Sequence, residues 1–413
     1  MIAKNSTLII GGGIIGATLA LRLAQNKHPV TLVDARPKLS QGDWEQKLVH
    51  RDARVYALSL ASINLLKAVG AWQRIEQSER KADYTQMQVW QINGIGELNF
   101  GDSDVPQLLG SMVEPFMIEK ALYDSFDDEM VIPFLTHIAG HKVTDITWIG
   151  TEHGYQITLD NGNTHQGTLL VGADGRGSLV RQSAGIGLDT LDYQQMAICC
   201  AIQTEQPHKA TARQVFLEDS ILALLPLADV TNHDKAQPQH WQSVVWSLPT
   251  NKALDLLTLA DHAFAKELAF ASGYALGDIT AIESIASFPL NAQHANSYVK
   301  PNLALIGDAA HGVHPLAGQG LNLGMLDIIA LSEILQKDFE RSGKKQWARF
   351  TTLQRYERER YAKNAMMMHS FSGINWLFGT QFRPIQHLRS EGVNAVSKFK
   401  PLMQFLGKKA SGI

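Results

Sequence analysis

The sequence has few cysteines, little net charge and no long apolar run, and each of these absences argues against a class of protein. Two cysteines in 413 residues, Cys199 and Cys200, fit a reducing compartment. Neighbours in a strand point to opposite faces, so a disulfide between them would be strained. The formal net charge of −3 argues against a nucleic-acid-binding protein. No run of about 18 uncharged apolar residues occurs, so we expect no membrane-spanning helix.

The first apolar segment is too broken by glycine to be a signal peptide. Lys4 precedes it, but Gly11, Gly12 and Gly13 interrupt it, and Arg22 lies in the segment that follows. A nucleotide-binding turn explains this pattern better than the apolar centre of a signal peptide does. We therefore expect a cytoplasmic protein, and a peripheral contact with a membrane stays open.

The residues that are present, 45% hydrophobic and 19% charged, predict a globular chain long enough for two domains. Thr7–Ile10 is a short apolar run typical of a buried strand, and Ile14–Asn26 has helical apolar spacing. Val30–Val33 predicts a second strand, which ends at Asp34. Together these segments form a βαβ unit. Further helices are predicted over Ser59–Val69, Pro115–Asp127, roughly residues 258–271, and from 320 to the end.

Strand-like segments dominate between about residues 192 and 290, which predicts a separate sheet inserted into the nucleotide-binding fold. Asn161-Gly162 stands between Tyr155–Asp160 and Thr164–Val171 and predicts a hairpin, because Asn-Gly favours a type I′ turn. Asn93-Gly94 marks a turn in the alternating stretch around residues 85–100. The remaining predicted strands are Ala197–Gln203, Gln214–Leu217, Ile221–Leu225, Ser243–Leu248 and Leu303–Ile306.

A glycine cluster follows the first strand and opens the first helix. In Gly11-x-Gly13-x-x-Gly16 the glycines allow a tight turn and a close backbone approach to a pyrophosphate. The helix N-terminus supplies unpaired N–H groups and partial positive charge. Asp34, at the end of the second strand, is placed to hold a ribose hydroxyl. With strand, helix and spaced acid all present, the pattern predicts a bound dinucleotide rather than a structural turn.

A second glycine-rich motif lies about 300 residues later, where Gly307-Asp308 follows an apolar strand. Asp308 could accept hydrogen bonds from ribityl hydroxyls. Gly318 and Gly320 could let the backbone approach a flavin ring. A helix starting near Leu321 would direct its N-terminal dipole at the ring end that becomes negative on reduction. These features favour FAD over a plain N-capping aspartate.

Several other polar residues are weaker candidates. His311 and His314 could be general bases, but beside a cofactor loop they more often hold backbone geometry. His137 and His141 are four residues apart, yet no acidic or cysteine partners cluster with them, so we expect no metal site. Arg54 precedes a helix and could reach the cofactor phosphates, or could be a surface arginine.

The C-terminal segment differs in charge from the rest of the chain. Residues 366–413 carry six basic residues against Glu391, a net charge of +5. Phe399, Leu402, Met403 and Leu406 have the spacing of one helix face, and lysines flank it. Such a helix could lie on an anionic membrane surface, or pack on the protein with its lysines in solvent.

Together these motifs resemble the class A flavoprotein monooxygenases, and in detail the FAD-dependent hydroxylases of ubiquinone biosynthesis. The resemblance rests on the glycine cluster Gly11–Gly16, Arg54–Ser59, Met112-Val113-Glu114, Gly172-Ala173-Asp174-Gly175 and Gly307–Gly324. It covers nearly the whole chain. The match at residues 307–324 is the most specific of these.

The resemblance implies an α/β two-domain fold in which a Rossmann-like FAD domain carries an inserted β-sheet substrate domain and C-terminal helices. The FAD domain would comprise residues 1–75, 116–190 and 295–365, and the substrate domain residues 76–115 and 191–294, with a tail at 366–413. NAD(P)H would reduce FAD without a second nicotinamide-binding motif. O₂ would then form a flavin C4a-hydroperoxide that hydroxylates an aromatic ring.

The implied substrate is a polyprenyl phenol or benzoquinol. The implied partners are the inner face of the membrane, in peripheral contact, and a ubiquinone-biosynthesis complex. A hydroxylase of a small phenol and a non-catalytic flavin-bound scaffold stay open as alternatives. No catalytic base and no metal ligand is assigned. The cofactor-binding residues are predicted to be Gly11, Gly13, Gly16, Asp34, Arg54, Asp174, Asp308, Pro315, Gly318, Gly320 and Asn322.

Overall fold

The computed structural model describes residues 6–92, 97–101, 107–229, 239–313, 319–342 and 348–379. The strands are β1 (Thr7–Ile10), β2 (Val30–Asp34), β3 (Tyr56–Leu58), β4 (Lys81–Tyr84), β5 (Gln86–Gln91), β6 (Glu97–Phe100), β7 (Gly110–Val113), β8 (Leu135–Ala139), β9 (Val143–Gly150), β10 (Gly154–Leu159), β11 (Thr164–Gly167), β12 (Leu169–Gly172), β13 (Leu188–Thr204), β14 (Thr211–Phe216), β15 (Ile221–Pro226), β16 (His240–Pro249), β17 (Ile279–Ala295), β18 (Val299–Lys300), β19 (Leu303–Leu305) and β20 (His311–Gly312). The helices are α1 (Ile14–Gln25), α2 (Gln41–Val49), α3 (Leu60–Ala68), α4 (Ala71–Gln77), α5 (Pro115–Asp124), α6 (Leu179–Ser183), α7 (Thr250–Leu257), α8 (Asp261–Ala271), α9 (Gln319–Ser342) and α10 (Phe350–Gly379).

A mostly parallel sheet carries the nucleotide-binding turn. Its order is β18-β19-β12-β1-β2-β8, and every neighbouring pair is parallel except the edge pair of β18 and β19. β1 and β12 are buried along their whole length, as expected for strands covered on both faces. The carboxyl ends of β1, β2, β12 and β19 meet at one edge, which is where ligands bind in such sheets. The predicted βαβ opening and α/β fold are confirmed.

A larger, mainly antiparallel sheet forms the second layer. Its order is β20-β17-β13-β16-β15-β14-β5-β6, and β14 pairs with β5 in parallel. One face packs against α7 and α8 through an apolar cluster that includes Phe264 and Trp246. β13 places Cys200 in that cluster and turns Cys199 to the other face, and both thiols are free. The second face is therefore available to line a cavity.

Two sequence expectations about local structure were wrong. The hairpin's second arm is not one strand: β11 pairs with β10, and the chain then leaves the hairpin, so that β12 runs parallel to β1. The polar Thr164–Gly167 suits a surface hairpin, whereas Leu169–Val171 is apolar at every position and suits a strand covered on both faces. The strand-rich segment also holds two helices and not one: α8 lies within the predicted range of roughly 258–271, and α7 precedes it, separated from it by Thr258–Ala260.

Some predictions fall outside the described residues or stay predictions. Asn93-Gly94 lies outside them, although β5 and β6 on either side pair antiparallel. Residues 380–413, which hold the basic segment, also lie outside. α10 is continuous across the predicted division between residues 365 and 366, and the domain limits stay a prediction. In the parts of the chain that the structure describes, no helix is both long and apolar enough to cross a bilayer.

Candidate active site

The turn between β1 and α1 contains glycines that packing requires and one glycine that leaves open space. Gly11 has φ +105°, and a Cβ there would lie 2.3 Å from the Ala173 carbonyl oxygen. A Cβ on Gly16 would lie 1.8 Å from the Gly11 oxygen. Gly13 differs, because a Cβ there would meet nothing within 4 Å, and no side chain caps α1 at this residue. Gly11 and Gly16 are therefore required by packing, whereas Gly13 leaves the helix N-terminus open to a ligand.

Asp34 lies at the end of β2 with its carboxylate fixed by the chain's own donors. The Tyr123 hydroxyl donates to Oδ2 at 3.0 Å, and the Arg36 amide and Nε donate to Oδ1 and Oδ2 at 2.9 and 3.1 Å. Burial, and then the charge of Asp34, raise the pKa of Tyr123. A Cβ on Gly12 would lie 2.3 Å from Asp34 Oδ2, so the acid lies against the turn. Its contact with a ribose hydroxyl stays a prediction.

Asp174 makes its contacts with a helix. Its carboxylate accepts hydrogen bonds from Ser178 Oγ at 2.5 Å and from the Val180 amide at 3.1 Å, at the start of α6. The neighbours Ala173 and Gly175 line the cavity described below, and Asp174 is not among the lining residues. These contacts give Asp174 a role in fixing the turn, and its predicted contact with the cofactor stays a prediction.

Asp308 follows β19 and faces the cavity between the two sheets. Gln293 Nε2 donates to its backbone oxygen at 2.8 Å, and Asp308 is one of the residues that line the cavity. Restricted access to solvent raises the pKa of Asp308, and the positive charges of Arg176 and Arg54 oppose that rise. A carboxylate in this position can accept hydrogen bonds from hydroxyl groups of a ligand.

His311 lies beneath this loop in a buried network. Its Nε2 binds Asp327 Oδ2 at 2.6 Å, and the Gly307 amide donates to the same oxygen at 3.1 Å. Arg360 Nε and Asn364 Nδ2, both on α10, donate to Oδ1 at 2.8 and 3.1 Å. Burial alone would raise the pKa of Asp327, but His311 and Arg360 outweigh it and lower that pKa. His311 therefore holds the loop and does not face the cavity.

Asn322 ties the start of α9 to the β3–α3 turn. Its Oδ1 accepts from the Ser59 amide at 3.0 Å and from Ser62 Oγ at 2.7 Å, and its Nδ2 donates to the Ala57 oxygen at 2.7 Å. The side chain thus points away from the cavity, and its proposed place beside the flavin ring stays a prediction. Gly320 lines the cavity with open space where a Cβ would stand. Pro315, Gly318 and His314 lie outside the described residues.

Arg54 lines the cavity beside the larger sheet. Its guanidinium lies over the Phe288 ring, 5.2 Å from the ring centre, and its exposed side chain leaves the group accessible. Its predicted contact with the cofactor phosphates stays a prediction.

A buried charge cluster that the sequence analysis did not assign holds the segment before Arg54. Glu114, with 0% exposure, binds Arg51 at 3.1 Å and Arg80 at 3.0 Å, and accepts from the Asp52 amide at 2.9 Å. Glu114 belongs to the Met112-Val113-Glu114 motif, but a glutamate after an apolar strand does not indicate that two distant arginines bind it.

The two histidines considered for a metal lie in different surroundings. His137 is in β8, where its ring packs against Tyr123 and Phe126. His141 binds Asp160 Oδ1 at 2.9 Å on the surface. Over the residues that the structure describes, no three metal-ligating side chains come together.

One cavity of about 710 Å³ lies between the two sheets. Gly13, Gly175, Asp308 and Gly320 belong to one wall, which is built from the turns at the edge of the parallel sheet. The opposite wall comes from the larger sheet and is mainly apolar. Burial raises the pKa of Cys199 in this wall to about 11, so the thiol is protonated and inert at neutral pH. The sheet-side residues include Met87, Ala197, Cys199, Gln214, Ala223, Leu225, Val245 and Phe288.

Comparison with known proteins agrees with this arrangement. The family model described as FAD binding domain matches residues 4–370. The chain is 32% identical to 3-demethoxyubiquinol 3-hydroxylase of Escherichia coli (strain K12), covering 98% of both proteins. It is 31% identical to the mitochondrial ubiquinone biosynthesis monooxygenase COQ6 of Drosophila melanogaster, covering 98% of this chain and 89% of that protein.

Among solved structures, the fold is similar to that of p-nitrophenol 4-monooxygenase PnpA from Pseudomonas putida DLL-E4. The TM-score is 0.73 at 15% identity, and the match covers 99% of this chain and 98% of that one. At this identity the likeness shows a shared fold.

Proposed function

This chain belongs to the family of the FAD binding domain, and from that premise we propose that it is an FAD-dependent aromatic hydroxylase of ubiquinone biosynthesis. Its substrate is a polyprenyl phenol or benzoquinol, and it uses NAD(P)H and O₂. The observation that carries the proposal is the cavity of about 710 Å³, which has a glycine-rich polar wall and an apolar wall. The relatives do not favour a small-phenol hydroxylase or a scaffold without turnover.

The residues present fit FAD. The open space at Gly13 and the uncapped start of α1 suit a pyrophosphate, and Asp308 faces the cavity where ribityl hydroxyls would lie. When bound, FAD takes reducing equivalents from NAD(P)H and transfers one oxygen atom from O₂ to the ring. The protein's part is to bind the cofactor along the turns and to leave one side of it facing the larger sheet.

The opposite wall binds and orients the ring. Ala197, Ala223 and Val245 are small or apolar, so the ring replaces water there without losing hydrogen bonds. Excluding water from the reacting atoms strengthens the electrostatic interactions inside the cavity and suppresses side reactions. We therefore infer that the electron-rich ring supplies the reactivity and that the protein supplies position.

A direct test is substrate-dependent oxidation of NADH and NADPH by the purified holoprotein. We expect short-chain prenylphenols to accelerate oxidation and to yield a product one oxygen atom heavier, labelled from ¹⁸O₂. Simple hydroxybenzoates should have no effect. Hydroxylation of hydroxybenzoates without a response to prenylphenols would point to a small-phenol hydroxylase. A protein that carries FAD but oxidises neither NADH nor NADPH with any of the ring substrates would point to a scaffold.

We further propose that the protein is cytoplasmic and contacts the inner face of the membrane through its basic C-terminal segment, and that it joins a ubiquinone-biosynthesis complex. The net charge of +5 in residues 366–413 suits anionic lipids. A polyprenylated substrate also resides in the membrane because it is insoluble in water. Removal of residues 397–413 should reduce co-sedimentation with anionic liposomes, with neutral liposomes as control. Equal binding by the truncated protein would refute the membrane contact.

A further inference from the structure

The cavity wall from the larger sheet contains two amide side chains, those of Gln214 in β14 and Asn291 in β17. Asn291 Oδ1 already accepts a hydrogen bond from Arg176 Nη2. Side chains alternate along a strand, so Gln214 shares its face with Ala212, and both line the cavity. Arg213 between them turns its Nη1 to the backbone oxygens of His208 and Thr211, at 3.1 and 3.2 Å. Arg213 is among the lining residues as well, so Gln214 is the uncharged polar side chain that this strand contributes to the cavity.

The neighbours of Gln214 across the sheet are small or apolar. It pairs with Ala223 of β15, Ala223 pairs with Val245 of β16, and Val245 pairs with Cys199 of β13. All four residues line the cavity. Neighbouring strands are about 4.8 Å apart, so this row extends for roughly 14 Å. An aromatic ring that lies flat on the small side chains would bring its edge to Gln214.

The Gln214 amide is half-buried, and within the described part of the chain no protein group donates to it or accepts from it. A ring that displaces water from this amide must replace the lost hydrogen bonds, because a polar group removed from water without a partner is destabilising. An amide carries both an acceptor oxygen and donor hydrogens. It can thus accept the hydrogen of a phenol and donate to a neighbouring ring oxygen, whereas leucine or methionine would line the wall without this capacity.

We propose that Gln214 is a specificity-determining residue that recognises a free phenolic hydroxyl on the ring substrate. Its Oε1 accepts the hydrogen bond from the hydroxyl and so fixes which ring carbon faces the flavin. This inference rests on the proposed function and narrows the substrate class. A ring with a free hydroxyl at this edge binds well, and the same ring with that oxygen methylated binds poorly.

The test compares a short-chain prenylphenol with its methyl ether in holoprotein carrying Gln214→Leu, Gln214→Glu or Gln88→Leu. Gln88 lies in β5 and, by alternation with the cavity-lining Met87, points to the other face of the sheet, so it serves as the matched control. Binding is measured from the change in the flavin absorption spectrum, which needs no turnover. KM, kcat and the fraction of NAD(P)H diverted to hydrogen peroxide are measured as well.

We expect the wild type and Gln88→Leu to bind the phenol more tightly than the ether by about tenfold, the size of one net hydrogen bond. Gln214→Leu should raise KM for the phenol by about the same factor, abolish the preference and divert more NAD(P)H to peroxide. Gln214→Glu keeps an acceptor and should keep the preference.

Equal affinity of wild type for phenol and ether, or a full preference in Gln214→Leu, would overturn this inference. Should Gln214→Leu fail to fold, loss of the preference in Gln214→Glu would overturn it instead. A wild type that discriminates in the binding assay but hydroxylates no prenylphenol would overturn the proposed function, while the binding role of Gln214 would stand.

Discussion

His311 Nε2 and Asp327 Oδ2 lie 2.6 Å apart, and both groups are almost completely buried. His311 is in β20, four residues after the Gly307-Asp308 turn begins, and Asp327 is in α9. Arg360 of α10 binds the other carboxylate oxygen at 2.8 Å. The loop that presents Asp308 to the cavity is thus held to two helices by one carboxylate.

Replacing Asp327 with Asn should destabilise the protein by about 3–5 kcal/mol, because Arg360 would stay buried without a counter-charge. Thermal or urea unfolding of the apoprotein measures this change. Asp128→Asn, which breaks the half-exposed pair with Arg74, is the control and should cost about 1 kcal/mol or less. Similar losses for both variants would mean that the buried network contributes no more than a surface pair.

Glu114→Gln should lower the free energy of unfolding by a similar amount, about 3–5 kcal/mol, because Arg51 and Arg80 share this carboxylate in the protein interior. Urea unfolding at neutral pH gives the free energy. Glu333→Gln, which removes an exposed pair with Lys337, is the matched control. An unfolding midpoint of Glu114→Gln equal to that of the control would contradict the assignment.

The two glycines of the first turn should differ when each is replaced by alanine. Gly16→Ala places a Cβ on the Gly11 oxygen and should destabilise the apoprotein by about 3 kcal/mol or more. Gly13→Ala meets no protein atom, so the apoprotein should be as stable as the wild type or gain about 0.4–1 kcal/mol. FAD binding by Gly13→Ala should nevertheless weaken by about tenfold or more, because the backbone can no longer approach the pyrophosphate. Unchanged FAD affinity would remove Gly13 from the predicted site.

Asp308→Ala should purify with little FAD, because the carboxylate that faces the cavity is lost. The ratio of flavin absorbance to protein measures this directly, and circular dichroism checks the fold. Asp308→Asn retains an acceptor and should retain more FAD than the alanine variant. A stoichiometric cofactor content in Asp308→Ala would rule out the predicted role.

Stability should fall as the pH is lowered from 7.5 to 5.5, in part because of His294. Burial, and then the nearby His311, lower the pKa of His294 below 6.5 in the folded protein. Below pH 6.5 the unfolded chain therefore binds a proton that the folded chain does not, and folding becomes less favourable by up to about 1.4 kcal/mol per pH unit. His294→Gln should flatten this dependence. His28, His137 and His208 also have a pKa lowered by burial, so part of the dependence should persist.

The control for the pH prediction is His153→Gln, which changes an exposed histidine. This variant should show the wild-type dependence of unfolding free energy on pH. If both variants give the wild-type curve of unfolding free energy against pH, His294 does not contribute to the pH dependence of stability.

Local patterns predicted the first βαβ unit well. β1 has the predicted bounds, and α1 ends one residue before the predicted limit. Each of these signals is contained in a short window, because apolar periodicity and glycine spacing depend on neighbouring residues. The hairpin arm was predicted wrongly for the same reason. A strand that changes sheets at Thr168 differs from a continuous one only in what covers it, and a short window does not contain that information.

The sequence by itself determined the α/β fold and the FAD cofactor, because backbone turns and helix starts depend on consecutive residues. Only the tertiary structure decided which groups the polar side chains named below contact. Asn322 binds the β3–α3 turn, Glu114 joins Arg51 to Arg80, and Gln214 meets an apolar wall, each through partners distant in the chain or on other strands. Hydrogen bonds and burial depend on distances in space, and those distances are set when the two sheets pack around the cavity.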